Sequence, residues 1–149
     1  MIRRALLADS DAMLELCACM HAEGAFAGLP FDRAKVAALI KRCSLTQDYI
    51  ALVAERDGQI VGGLLARVTQ YFFCNELLAT DYGVYMRPDC RGGTLGARMI
   101  KGYIDWARSK GAREVSIGIS VDIHRDRVGK LLERLGFSCR GGSYKMEIP

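Results

Sequence analysis

The feature that most constrains this chain is a glycine-rich turn at residues 86–100, which joins an apolar segment to a helical pattern. The segment reads MRPDCRGGTLGARMI, so that a proline ends the apolar run and Gly92, Gly93 and Gly96 surround the start of the helix. Glycine lets a backbone approach a ligand without a Cβ in the way. The first amides of a helix have no internal partners and favour negative charge. A strand, a glycine turn and a helix start in this order predict a cradle for phosphate.

Length and composition bound the class of protein. The 149 residues suit one domain, spanning 1–149, and a content of 50% hydrophobic and 26% charged residues supports a packed core. The net charge of +4 is spread along the chain without a long Lys/Arg block, so we expect no nucleic-acid partner. No apolar run approaches the roughly 20 residues that cross a bilayer, so we expect no membrane partner.

The six cysteines do not indicate a disulfide framework or a metal site. Several lie inside apolar patterns, where free cysteine behaves as a small hydrophobic residue. No C-x-x-C pair exists, and the two histidines complete no metal-ligand spacing. The N-terminus lacks the features of a signal peptide. We therefore predict a cytoplasmic protein without a structural metal. The cysteines are at positions 17, 19, 43, 74, 90 and 139.

Periodicity and turn signals predict a mixed α/β sheet of about seven strands with four helices on both faces. Asp57-Gly58 is a strong hairpin signal, and Gly62-Gly63 indicates a bulge or a close backbone approach. The predicted order is a strand at 2–7, a helix from 9–11 to about 24, a helix capped by Asp32, strands at 49–55, 59–73 and 78–86, a helix at 94–110, a strand at 114–120, a helix at 126–135, and a last strand pair at 137–139 and 144–148.

Two familiar phosphate cradles do not fit the turn. A Walker loop requires G-x-x-x-x-G-K-[ST], which this chain lacks. A dinucleotide-binding fingerprint requires G-x-G-x-x-G near the start of a βαβ unit, whereas this turn has a different spacing and follows three hairpin-like strands. A plain structural turn, without a ligand, is the remaining alternative, because glycine also solves tight geometry.

The pattern Met86-x-Pro88-x-x-Arg91-Gly92-x-x-Leu95-Gly96 resembles the acetyl-CoA motif of the Gcn5-related N-acetyltransferases, the GNAT family. The segment 131–137, LLERLGF, is similar to that family's closing segment, and the predicted element order matches its fold along nearly the whole chain. Two positions depart from the family's pattern. Thr94 stands where glycine is usual, and Leu132 stands where many members carry the tyrosine that protonates the departing thiolate.

The resemblance implies acetyl-CoA as the co-substrate. In the family the fourth and fifth strands splay apart and pantetheine lies between them, so the backbone around Val84 to Met86 would pair with pantetheine, and one amide would polarise the thioester carbonyl. The turn and helix start would hold the pyrophosphate through amides and the helix dipole. The implied cofactor-binding residues are Val84, Tyr85, Met86, Arg91, Gly92, Gly93, Thr94, Leu95, Gly96 and Ala97.

The implied acceptor is an amine, which must lose a proton before it can attack. Asp81 and His124 are the candidate catalytic residues for this step, with Glu76 as a further candidate base. Each also has a structural interpretation, since Asp81 can cap or pair, His124 can cap the following helix, and Glu76 can be a solvated charge. The acid that replaces Leu132 would be one of three tyrosines, each of which is equally a packing residue of the sheet: Tyr82, Tyr85 and Tyr144.

The sequence therefore predicts an acetyl-CoA-dependent N-acetyltransferase acting on a small-molecule or peptide amine. The alternative is a catalytically silent acyl-CoA-binding or regulatory module, and a third reading is a structural subunit whose cradle no longer binds CoA. Residues 22–31 are expected to form a partly apolar wall of the acceptor cleft. The aromatic segment 71–74 would either do the same or support a homodimer through an exposed apolar strand end.

Overall fold

Five strands form one sheet whose spatial order follows the chain order. The computed structural model describes residues 1–119 and 124–149. The first four strands pair antiparallel, and the fifth pairs parallel with the fourth. The elements are β1 (Ile2–Arg4), α1 (Ser10–Glu23), α2 (Arg33–Leu45), β2 (Tyr49–Arg56), β3 (Gln59–Gln70), β4 (Leu77–Met86), α3 (Leu95–Ser109), β5 (Glu114–Ser116) and α4 (Arg125–Arg134), with short 3-10 turns at Leu7–Asp9 and Pro88–Cys90.

The sheet is covered on both faces, which explains why β2 is apolar at every central position. Ile50 and Leu52 belong to the core on the α3 face, whereas Ala51 and Val53 belong to the core beneath α1 and α2. A strand buried on both faces reads as a continuous hydrophobic run instead of an alternating one. The two cores therefore share the sheet as a common wall, and the predicted helices on both faces are confirmed.

The sequence supplies a cap for α2 and an apolar stripe for α3. The Asp32 side chain accepts a hydrogen bond from the Lys35 amide at 3.0 Å, which caps α2 as predicted. Along α3, Met99, Tyr103 and Trp106 are buried against the sheet. None of the helices in the described residues is long and apolar enough to cross a membrane.

The turn predictions are also confirmed. Asp57 and Gly58 both have positive φ, at 52° and 74°, as a two-residue hairpin turn requires. The register between β2 and β3 shifts after Ala54, opposite Gly62. A Cβ on Gly62 would overlap the Met86 sulfur, so this glycine is a close-approach site that draws β3 and β4 together.

Seven strands were expected and five are present in the described residues. The predicted pair at 137–139 and 144–148 is wrong, because residues 137–149 contain no strand. An isolated two-stranded hairpin needs a neighbouring strand or an apolar face, and β5, with three residues, is too short to serve as a template. The first and third strands end earlier than predicted, at Arg4 and Gln70. The predicted strand at 114–120 ends at Ser116, and its last residue lies outside the described residues.

Candidate active site

One edge of β4 loses its strand partner halfway along. β4 pairs with β3 from Leu77 to Met86, but it pairs with β5 only from Leu78 to Thr80. The Arg87 amide donates to the Val61 carbonyl of β3 at 2.9 Å, and peptide groups alternate in direction along a strand. The peptide groups of Met86 and Val84 therefore face the opposite edge, which has no strand partner in the described residues. An extended ligand can pair with this edge as an added strand would.

Asp81 marks the point where β4 and β5 part. Its Oδ1 accepts a hydrogen bond from the Gly118 amide at 2.9 Å, just beyond the last residue of β5. Burial raises the pKa of this carboxyl above its ordinary value, although the Gly118 amide acts in the opposite direction. The predicted catalytic carboxylate thus lies at the closed end of the gap, with a pKa raised by burial.

The glycine turn leads directly from the open edge into α3. Gly92 has φ +87°, a left-handed conformation that a side chain would strain. Thr94 occupies the N-cap position without a side-chain hydrogen bond to the helix. The first amides of α3, at Leu95, Gly96 and Ala97, are therefore not capped by Thr94 and point out of the helix start. These amides could bind an anion, and the predicted cradle stays a prediction.

Two arginines that were not predicted border the turn. A Cβ placed on Gly92 would lie 2.7 Å from Nη2 of Arg127, and one on Gly93 would lie 4.0 Å from Nη2 of Arg56. Arg56 also donates to the Cys90 sulfur at 3.5 Å, which holds the guanidinium beside the turn. The two guanidinium groups bring positive charge from β2 and α4 to the cradle.

The Arg91 side chain, predicted to contact the pyrophosphate, forms hydrogen bonds to Glu23 and to the Met86 carbonyl in this structure. Its two terminal nitrogens donate to the two oxygens of Glu23 at 2.6 and 2.7 Å, and its Nε donates to the Met86 carbonyl at 2.8 Å. The Tyr85 hydroxyl donates to Glu23 at 2.8 Å. Arg91 therefore ties the end of α1 to the end of β4. Arg56 and Arg127 are the guanidinium groups that border the turn without belonging to this network.

The charges of this network shift two pKa values in opposite directions. Hydrogen bonds from Arg91 lower the pKa of Glu23 to about 2, with a smaller contribution from His124. Burial, followed by the hydrogen bond to Glu23, raises the pKa of Tyr85 to about 12. Glu23 is thus a carboxylate that stays ionised and is a poor base, whereas the Tyr85 hydroxyl holds its proton.

The other predicted residues are spread over the site and beyond it. His124 is exposed, precedes α4 with φ +49°, and does not cap that helix through its side chain. Glu76 lies before β4, at the end remote from the cradle, and forms an ion pair with Arg113. Tyr144 is fully exposed. Leu132 is buried, so a hydrocarbon side chain occupies the core at that position.

A cavity of about 360 Å³ lies beneath α1, α2 and the segment between them. Gly24, Phe26 and Phe31 contribute to its wall, which confirms that residues 22–31 line a partly apolar cleft. Its floor is the sheet, where Tyr82 and Tyr85 belong to the unpaired half of β4. The cavity and the open strand edge therefore meet at β4.

The sequence did not predict Glu23, Arg127 or Arg56 as site residues. Two of them have an unusual position in their helices that could have indicated them. Glu23 is in the last turn of α1, and Arg127 is in the first turn of α4. Both charges oppose the helix dipole, which favours acids at the start and bases at the end of a helix. The unfavourable charge of Glu23 is compensated by its tertiary ion pair with Arg91. Arg56 carried no such signal.

Comparisons with known proteins agree with this geometry. The model of the acetyltransferase (GNAT) family matches residues 16–137. Solved structures with the same fold include a transcriptional regulator from Bacillus halodurans C-125, at 23% identity and TM-score 0.76 over 99% of each chain. Glucosamine-6-phosphate N-acetyltransferase from Arabidopsis thaliana is similar over 100% of this chain and 98% of its own, at 17% identity and TM-score 0.76. An aminoglycoside acetyltransferase from an uncultured soil metagenomic sample, solved with sisomicin, covers 100% and 95% at 18% identity and TM-score 0.74. No curated protein matches.

Proposed function

Because the chain belongs to the GNAT family of acetyltransferases, we propose that it transfers the acetyl group of acetyl-CoA to a primary amine. The observation that carries this proposal is the second half of β4, which has no strand partner on its β5 edge among the described residues. This half of the strand leads through the glycine turn to the start of α3, where Thr94 forms no cap. One feature offers backbone pairing to an extended chain, and the other offers amides to a diphosphate. An acyl-CoA has an extended pantetheine chain joined to a diphosphate, so it requires both features next to each other.

The residues present suit acetyl-CoA. Val84 and Met86 would pair with pantetheine through their peptide groups, and the amides of residues 95–97 would hold the diphosphate together with Arg127 and Arg56. The exposed Gly92 and Gly93 leave the turn open to a close approach. The tie between Arg91 and the Met86 carbonyl fixes the turn relative to the strand edge.

The reaction forms a bond between the amine nitrogen and the acetyl carbon and breaks the bond between that carbon and sulfur. The amine loses a proton and the sulfur gains one. We assign the first proton to Asp81, because its carboxyl lies at the parting of β4 and β5 and burial raises its pKa. Its sheet partner Ala66 belongs to the core on the α3 face, so an amine on the α1 and α2 face would reach this carboxyl through the gap between the two strands. Tyr85 is the candidate donor to sulfur in place of Leu132, and in this role its hydroxyl would turn from Glu23 to the thiolate.

A catalytically silent acyl-CoA-binding module is the second candidate function. The buried Leu132 favours it, because no hydroxyl is present where many relatives have their acid. A structural subunit that no longer binds CoA is the third, and Thr94 at a position where glycine is usual bears on it. The uncapped amides of α3 weigh against this third reading.

Two measurements distinguish the three candidate functions. Calorimetric titration with acetyl-CoA tests the cradle, and thiol release from acetyl-CoA in the presence of amines tests transfer. We expect binding and amine-dependent thiol release. Binding without release would establish the silent module, and no binding would leave only the structural subunit. A cytoplasmic location and a homodimer remain proposals beside this function.

A further inference from the structure

We propose that the acceptor is a monoamine with an apolar body, which occupies the cavity beneath α1 and α2 and carries no second positive charge. This inference rests on the proposed acetyl transfer and names its substrate class. The cavity, with about 360 Å³, is large enough for a small aromatic or branched aliphatic group.

The first argument is the composition of the wall. Most of the lining is hydrocarbon and aromatic, from both helices, the connecting segment and the sheet. Such a wall recognises apolar surface, because each buried CH₂ is worth about 0.8 kcal/mol. The residues that dominate the lining are Met20, Phe26, Phe31, Leu39, Leu65 and Tyr82.

The second argument is the absence of a carboxylate among the described residues of the wall. Glu23, which accepts a hydrogen bond from the lining residue Tyr85, already pairs with both terminal nitrogens of Arg91. A substrate with several ammonium groups needs one acidic partner for each charge that it buries. This cavity provides none that is uncommitted.

Positive charge over Tyr82, one residue of the cavity wall, strengthens the argument. The Arg67 guanidinium lies over the Tyr82 ring at 5.7 Å, and Arg42 lies over the Tyr49 ring at 5.8 Å. Neither arginine forms an ion pair within the described residues, and the Arg67 Nε is buried without a hydrogen-bond partner there. The unneutralised Arg67 guanidinium over Tyr82, a residue of the cavity wall, repels a second cation on the substrate.

The apolar wall also assists the chemistry. Burial in this wall raises the pKa of the Cys17 thiol to about 11, which shows that the surroundings disfavour a charged form. The same desolvation lowers the pKa of a bound ammonium and increases the share of the nucleophilic free amine. The cavity meets β4 at Gly83 and Tyr85, so the amino group can reach the open edge while the apolar body stays inside.

The test is a comparison of amines at saturating acetyl-CoA, with kcat/KM measured by thiol release. Phenethylamine and isoamylamine represent the proposed class, and spermidine and kanamycin represent acceptors with several charges. We expect kcat/KM for the first pair to exceed that for the second at least tenfold. Preference for spermidine or kanamycin would overturn the inference while leaving acetyl transfer intact. Absence of acetyl-CoA binding would instead overturn the proposed function.

A matched pair of variants tests the location. Val36→Phe fills the cavity from α2, whereas Ala38→Phe adds the same ring to an exposed position of the same helix. We expect Val36→Phe to lower kcat/KM for phenethylamine at least tenfold, with acetyl-CoA affinity and melting temperature close to those of Ala38→Phe. Because Val36→Phe can also disturb packing, Val36→Ala is measured too and should accept a bulkier amine better than the native chain. Unchanged amine selectivity in both Val36 variants would refute the cavity as the acceptor site.

Discussion

The replacement Gly96→Glu should separate folding from acetyl-CoA binding. A Cβ on Gly96 would lie 3.8 Å from Met86 Cγ, an ordinary van der Waals contact, so the side chain can be accommodated. Glutamate is a better helix former than glycine by roughly 0.5 kcal/mol or more, and an acid in the first turn gains about 0.3–1 kcal/mol from the helix dipole. The variant should therefore be at least as stable as the native protein.

The same carboxylate should repel the diphosphate. At a separation of about 6 Å and an effective dielectric of about 20, two unit charges repel by roughly 3 kcal/mol. The second phosphate charge increases this value and salt at the exposed turn decreases it, so we expect about 2–3 kcal/mol, or about a 30- to 150-fold loss of affinity. Calorimetric titration measures it, with Gly96→Gln as the uncharged control.

The two variants also show how the reasoning could fail. Gly96→Gln should retain most of the affinity, and the loss in Gly96→Glu should grow as salt is lowered, because the effect is electrostatic. Equal affinities for the glutamate and glutamine variants, both close to native, would refute an anion site at the start of α3. Equal losses in both would point to obstruction of the turn by bulk alone.

Three further predictions concern the rest of the site. Asp81→Asn keeps an oxygen for the Gly118 amide and should slow turnover at least tenfold while barely changing acetyl-CoA affinity, and a native rate would remove Asp81 as the base. Because burial raises the pKa of Asp81, its ionised form costs stability at neutral pH, and the variant should unfold at a higher urea concentration. For Glu23, whose pKa of about 2 lies below the ordinary 4.5, the stabilisation is complete above pH 4.5 and is lost as the pH falls toward 2. The stability advantage over Glu23→Gln in urea titrations should therefore shrink between about pH 5 and 2, and a constant difference would contradict the pairing with Arg91. Phe72 is fully exposed, and Phe72→Ser should weaken a homodimer in sedimentation experiments without changing the unfolding midpoint, whereas a monomeric native protein would refute that assembly.

The unfavourable charges on α1 and α4 show that capping and helix-dipole rules describe only interactions within one helix. Glu23, an acid in the last turn of α1, is compensated by Arg91, but the local sequence does not identify this partner. Glu23 and Arg91 are 68 positions apart. Periodicity and capping act within a turn or two, so they carry no information about such a pair.

Arg91 illustrates the same limit within the motif itself. Its position beside the glycines indicated a phosphate contact, whereas the folded chain directs it to Glu23 and to the Met86 carbonyl. A guanidinium pairs with whichever acceptor the tertiary structure places within reach, and a carboxylate offers it two oxygens at once. A sequence motif therefore predicts where the backbone of a site lies, but it does not predict which group a long flexible side chain contacts.

The sequence alone determined the local geometry of this protein: the left-handed turn at Asp57-Gly58, the cap at Asp32, the buried stripe of α3 and the glycine turn at its start. These features follow from interactions between residues close in the chain. Only the tertiary structure decided where β4 and β5 part, which arginines border the cradle, and that the cavity wall contains no described carboxylate. Those properties depend on how sheet and helices pack, and in particular the length of β5 left the last predicted strands without a template to join.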